Sequence, residues 1–145
     1  MNSQRFSGNK SDATVLGNYS KLILSIDDDP RVLYTRAKIL EAQGYEVLSA
    51  LDGESALQLF NAHPAVELVL LDFAMPGMDG GEIAREMKMR KPFVPIFMIS
   101  AHEDALAKNL CPFVDVFIAK GDGPQYWLEQ VQQVFAGHSA LRRRA

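Results

Sequence analysis

The chain has 145 residues, 48% of them hydrophobic and 23% charged, which suits one globular domain with a full-sized core. A formal net charge of −3 leaves no electrostatic case for nucleic acid binding, and the one basic cluster, Arg142-Arg143-Arg144, reads as a solvated tail. The single cysteine, Cys111, excludes an internal disulfide, no apolar run reaches the length of a membrane span, and the polar N-terminus has no signal-peptide core; a cytoplasmic location is expected.

Residues 1–20 are rich in Ser, Asn, Gly and Lys without periodicity, which predicts a flexible extension ahead of the domain. Lys21-Leu-Ile-Leu-Ser-Ile26 is the first expected strand, and it runs into Asp27-Asp28-Asp29-Pro30. Asp29 before Pro30 looks like a helix cap with proline at the first helical position. Leu33, Ala37 and Leu40 then recur at helical spacing up to Gly44. Tyr45 to Ala50 is the second expected strand, and Asp52-Gly53 opens a helix with Ala56, Leu59 and Phe60 inward.

Leu68 to Leu71 is a continuous apolar run that meets Asp72 and then a segment holding Pro76, Gly77, Gly80 and Gly81, the pattern of a strand buried on both faces. A third helix begins near Gly81, with Ile83, Ala84 and Met87 inward. Phe93 to Ile99 is the fourth strand, ending at Ser100; a short helix is expected over Glu103 to Leu110. Val114 to Ala119 is the fifth strand, ending at Lys120. The last helix starts after Gly121-Asp-Gly-Pro124, carries Trp127, Leu128, Val131, Val134 and Phe135 as its apolar stripe, and stops at Gly137. Strands alternating with helices predict a three-layer α/β/α domain on a five-stranded parallel sheet with right-handed crossovers. Expected boundaries are an extension over 1–20, the domain over 21–137 and a basic tail over 138–145.

The strand ends carry the chemistry. In a parallel sheet they share one edge, so Asp27, Asp28, Asp72, Ser100 and Lys120 should converge there. Carboxylates brought together repel, and Mg²⁺ is the natural neutralising ion, since it takes one or two carboxylates, keeps several waters and reaches for phosphate oxygens. A lysine ammonium and a serine hydroxyl add a point charge and a donor for a phosphoryl group, and an aspartate can itself accept one.

Leu22-Ile-Leu-Ser-Ile-Asp-Asp-Asp-Pro30, Leu70-Leu-Asp-Phe-Ala-Met-Pro-Gly-Met-Asp-Gly80, Ile99-Ser-Ala101 and Ile118-Ala-Lys120 resemble the signature segments of response regulator receiver domains, over about Lys21 to Phe135. The resemblance implies a flavodoxin-like strand order 2-1-3-4-5 and a role in two-component signalling. It implies that Asp72 is the phosphoacceptor, supplied by a sensor histidine kinase or a phosphotransfer protein. Asp28, Asp72 and the backbone carbonyl of Ala74 would ligate Mg²⁺, with Asp27 acting mainly through bound water. Lys120 would pair with phosphoryl oxygens, Ser100 would swing its hydroxyl onto the phosphate, and Phe117 would rotate inward with it. The helix over Glu103–Leu110, the fifth strand and the last helix would then present the changed surface to an unknown protein target. Lys120 precedes Gly121 where the family usually has proline, the Ser100–Lys120 segment is slightly short, and Phe117 lacks the hydroxyl of the commoner tyrosine.

Remaining residues read blandly. Asp29 and Asp79 are expected to be caps, and His63, His102 and His138 show no ligand spacing, although His102 is a candidate for the pocket rim. Ala74 offers no side chain to position an attacking water, so a long-lived aspartyl phosphate is expected. No helix-turn-helix follows Gly137, so direct DNA regulation by this chain is not expected. The chain is read as a signalling protein rather than an enzyme. One alternative is a small Mg²⁺-dependent aspartyl-phosphate hydrolase; Ala74 stands where such enzymes place a second acid. The other is a pseudo-receiver, against which the intact acceptor set argues.

Overall fold

The computed structural model describes residues 20–100 and 112–144, with side chains as far as 137. The strands are β1 (Leu22–Ile26), β2 (Glu46–Ala50), β3 (Val66–Asp72), β4 (Ile96–Ser100) and β5 (Val116–Ala119). The helices are α1 (Pro30–Ala42), α2 (Gly53–Ala62), α3 (Gly80–Arg90) and α4 (Pro124–Arg144). All strand pairs are parallel, and the order across the sheet is β2-β1-β3-β4-β5. The helix expected over Glu103–Leu110 lies outside the described residues, as does Cys111.

Alternate residues of the strands feed two core layers. Leu24, Ile26, Val69, Leu71, Ile96 and Met98 face α2 and α3, where Ala56, Phe60, Ile83, Ala84 and Met87 meet them. Ile23, Leu68, Leu70, Phe97, Ile99 and Ile118 face α1 and α4, where Leu40, Trp127, Val131 and Phe135 close the other layer. Burial on both faces is why Leu68–Leu71 of β3 and Ile96–Ile99 of β4 read as unbroken apolar runs. Among the described residues, no helix is long and apolar enough to cross a membrane.

The expected caps are present. Asp29 accepts the Arg31 N–H at 2.9 Å ahead of Pro30, and Asp52 accepts the Ser55 N–H at 2.8 Å. Asp79 and Glu82 form a reciprocal capping box that starts α3. Gly44, at φ +95°, supplies the left-handed turn after α1.

Two boundaries differ from expectation. β4 begins at Ile96, and Phe93 is 90% exposed. Pro95 has no N–H to contribute to a ladder; pairing starts where the Ile96 N–H reaches Asp115 Oδ2 at 2.8 Å. The last helix also runs through Gly137 to Arg144, so the basic cluster is its final turn rather than an irregular tail. A mid-helix glycine costs about 1 kcal/mol relative to alanine, and the helix-forming alanine, leucine and arginine residues around it offset that.

Gly80 shows how tightly the site is seated. A Cβ there would lie 2.8 Å from Met98 Cε and 3.0 Å from both the Asp72 carbonyl oxygen and Phe73 Cα. The Met98 tip can yield, but the backbone that carries Asp72 cannot. Gly80→Ala is expected to lower stability by about 1–3 kcal/mol, read as a lower urea midpoint at unchanged slope. Gly121→Ala, whose Cβ would meet nothing within 4 Å, should leave the midpoint in place.

Candidate functional site

The carboxyl ends of β1, β3, β4 and β5 bring the acids, Ser100 and Lys120 to one edge. Asp27 follows β1, where its N–H donates to the Ala50 carbonyl at 3.1 Å. Asp72 is the last residue of β3, and the next N–H, from Phe73, donates to Ile99 across the sheet at 3.2 Å. Each of Asp27, Asp28 and Asp72 offers a carboxylate oxygen, and these lie within 4.8 Å of one another. Asp27 and Asp72 are buried, whereas Asp28 faces solvent.

Lys120 starts the turn after β5. Its N–H donates to the Ser100 carbonyl at 2.7 Å, which ties the ends of β4 and β5 together. Its ammonium stands 3.4 Å from Asp72 Oδ1 and 3.7 Å from Asp27 Oδ2, bridging two of the acids. Ser100 is buried at the end of β4. Ala74 is exposed at the mouth, and its N–H donates to the Asp72 carboxylate. Phe117 sits inside β5, half-buried against the layer of α2 and α3.

The charge balance is visible at Asp72. Burial raises its pKa, and the neighbouring Asp27 raises it further; the Lys120 ammonium and the Ala74 N–H pull it back. Three hard oxygen donors in one cluster with mutual repulsion fit a small divalent cation such as Mg²⁺. Among the described residues, no histidine joins this group; His63 lies elsewhere, its Nδ1 3.0 Å from the Leu59 carbonyl. His102 and the side chain of His138 lie outside the described residues.

One participant escaped the sequence reading. Arg36 of α1 is buried, and its guanidinium donates from Nη1 to Ser25 Oγ at 3.0 Å and from Nη2 to Asp27 Oδ2 at 3.4 Å. Desolvation pushes its pKa down, and Asp27 and Asp72 push it back up; a guanidinium stays charged in such a setting. The signal was available: Arg36 lies three residues after Leu33 and four before Leu40, on the inward stripe of α1. Beside Arg36 and Lys120 a cleft of about 520 Å³ opens between α1 and the turn after β5, with Ile99 and Trp127 among its walls.

Both the sequence and the fold have known relatives. The family model described as "Response regulator receiver domain" matches residues 23–131. The transcriptional activator protein ExaE of Pseudomonas putida is 32% identical over 129 residues, 83% of this chain and 58% of that protein. The response regulator TrrA of Thermotoga maritima, solved in complex with Mg²⁺ and BeF, superposes with a TM-score of 0.72 at 30% identity, covering 78% of this chain and 97% of that one. CheY in the CheX–CheY–BeF₃–Mg²⁺ complex of Borrelia burgdorferi superposes with a TM-score of 0.73 at 27% identity, covering 79% and 88%. The chain spans between 31% and 58% of the length of the first curated relatives it matches. With a matching family model across most of its length and the receiver strand order in its sheet, the chain belongs to the response regulator receiver domains of two-component systems.

Proposed function

We propose that Asp72 accepts a phosphoryl group from a phosphohistidine on a sensor kinase or phosphotransfer protein, with Mg²⁺ bound, and that this chain signals by a phosphorylation-dependent protein contact. The observation that carries the reading is the Lys120 ammonium 3.4 Å from Asp72, at an edge where three carboxylates already gather. Similar receiver structures solved with Mg²⁺ and BeF support it.

An Asp72 oxygen forms the new bond to phosphorus as the phosphorus–nitrogen bond breaks, and the donor imidazole leaves with that electron pair. Asp28, Asp72 and the Ala74 carbonyl would hold the metal directly, and Asp27 through water. When bound, Mg²⁺ neutralises charge on the transferring oxygens. Lys120 holds one phosphoryl oxygen and partly offsets the burial and the Asp27 charge that disfavour the ionised Asp72. Ser100 donates its hydroxyl to another, and Phe117 turns inward as Ser100 moves. The receiver unit spans 21–137, and the changed surface includes β5 and α4. The chain acts as a signalling protein; Ala74 leaves no second acid two residues after the acceptor for phosphatase turnover.

Incubation with acetyl phosphate and Mg²⁺ should add one phosphoryl group by intact mass, lost with chelator and in Asp72→Asn. Lys120→Ala should slow labelling by roughly 10²-fold or more, the loss seen when one preorganised charge is removed from a transfer site. Absence of an adduct with every donor and cognate kinase would favour a pseudo-receiver, and rapid turnover of a small phosphate ester would favour a hydrolase. For lifetime, Ala74→Asn should shorten the adduct's half-life severalfold; an unchanged half-life contradicts the role given to the small side chain.

The raised pKa of Asp72 gives a stability signature. Protonated Asp72 is the form the fold favours, so its contribution is present below the ordinary value of 3.8 and is lost as pH rises through the raised one. At neutral pH in chelator, Asp72→Asn should therefore melt a few degrees higher, the size expected for about 1 kcal/mol in a domain of this length. That gain should vanish at about pH 3.5. Mg²⁺ should raise the melting temperature of the wild type and not of the variant. A variant less stable than the wild type at neutral pH would contradict the charge balance.

A further inference from the structure

Arg36 occupies a place in α1 where the surrounding stripe, Leu33, Ala37 and Leu40, is apolar. Its side chain is 6% exposed, and it ends in the α1 side of the acidic edge rather than in solvent. Nη1 is fixed by Ser25, a polar residue at a core-facing position in the middle of β1, and Nη2 by Asp27 Oδ2. The other Asp27 oxygen, Oδ1, accepts the Asp29 N–H at 3.0 Å. Asp27 is thus clamped at both oxygens, by α1's guanidinium on one side and by its own loop on the other. A buried ion pair of this kind is a poor source of net stability, because desolvation offsets the attraction. A role in the site accounts for it better.

Charge counting shows what that role is. Three carboxylates carry −3, and Lys120 and Arg36 return +2, so the resting edge stands near −1. A divalent cation takes it to +1. Converting the Asp72 carboxylate to a dianionic acyl phosphate adds about one further negative charge and brings the total to about zero. With a neutral residue in place of Arg36, the resting edge would be −2, the metal-loaded edge 0 and the phosphorylated one about −1.

We propose that Arg36 is a positioning residue of the acceptor site, an internal counter-ion that orients Asp27, weakens metal binding to the resting site and strengthens retention of the phosphoryl group. This rests on the acceptor reading of Asp72. Arg36 touches neither phosphoryl group nor metal; it acts through the Asp27 carboxylate and through its permanent charge. Because the field of one fixed charge has opposite effects on a bound cation and a bound anion, its removal must move the two affinities in opposite directions. Damage to packing would weaken both.

The test uses the whole chain and two probes, Mg²⁺ alone and beryllofluoride at saturating Mg²⁺, read by calorimetry or by Trp127, the only tryptophan, which shares a cleft wall with Arg36 and Lys120. Arg36→Met should bind Mg²⁺ about tenfold more tightly and beryllofluoride about threefold more weakly, the scale set by one unit charge several ångströms from a divalent cation and from a monovalent anion under water-like screening. Arg36→Lys, which keeps the charge, should stay near the wild type for both. Arg36→Gln keeps a donor for Ser25 and covers the case in which the methionine variant does not fold; it should show the same opposed shifts. Affinities that fall together, or that both stay unchanged, would overturn the proposal. A wild type that binds neither probe would instead overturn the acceptor reading beneath it.

Discussion

Two buried carboxylates and a third exposed one share a few ångströms of sheet edge, and the fold tolerates them only because cations are built in beside them. Lys120 spans Asp27 and Asp72 from the β5 end, and Arg36 reaches Asp27 from beneath, through α1. Neither cation comes from the strands that carry the acids. The acids arrive on β1 and β3, the central strands, while their partners arrive on an edge strand's turn and on a helix. Anything that shifts β5 or α1 relative to the sheet therefore changes the charge balance at Asp72. The converse also holds: a change of charge at Asp72 is felt at the ends of β4 and β5, joined by the 2.7 Å bond from Lys120 N–H to the Ser100 carbonyl.

With Asp72 as the proposed acceptor, that mutual dependence would be the physical basis for a switch. Ser100 and Phe117 belong to the two strands so joined, and Phe117 is half-buried against the α2–α3 layer. A phenyl ring without a polar tip gains from moving inward and loses nothing by leaving water. On the proposed reading, the acceptor and the surface that reports its state would be linked through one short stretch of backbone rather than a long chain of contacts.

Much of this was legible in the residue order. Parallel strands that alternate with helices put every strand's last residue on one edge, so Asp72, Ser100 and Lys120 could be placed together without coordinates. The caps at Asp29 and Asp79 were legible because an acid before proline, or three residues before glutamate, has a local mechanism. Phe93 was misplaced because a run of apolar residues says nothing about where pairing begins; the missing N–H of Pro95 decides that. The last helix was cut short at Gly137 because glycine's local cost is readable, whereas the neighbours that outweigh it act together. Arg36 was passed over for a related reason. An arginine is ordinarily assigned to solvent, and only its register with Leu33 and Leu40, read together with Ser25 on β1 and Asp27 just after it, reveals that it points inward.

The central claim is that the acids at this edge form a metal-supported acceptor at Asp72. Anomalous diffraction from crystals soaked with Mn²⁺ and beryllofluoride addresses it directly. A manganese peak among Asp27, Asp28 and Asp72, with beryllium bonded to an Asp72 oxygen and a fluorine against Lys120, is the predicted result. Manganese bound elsewhere, or Asp72 left bare with the metal in place, would contradict it.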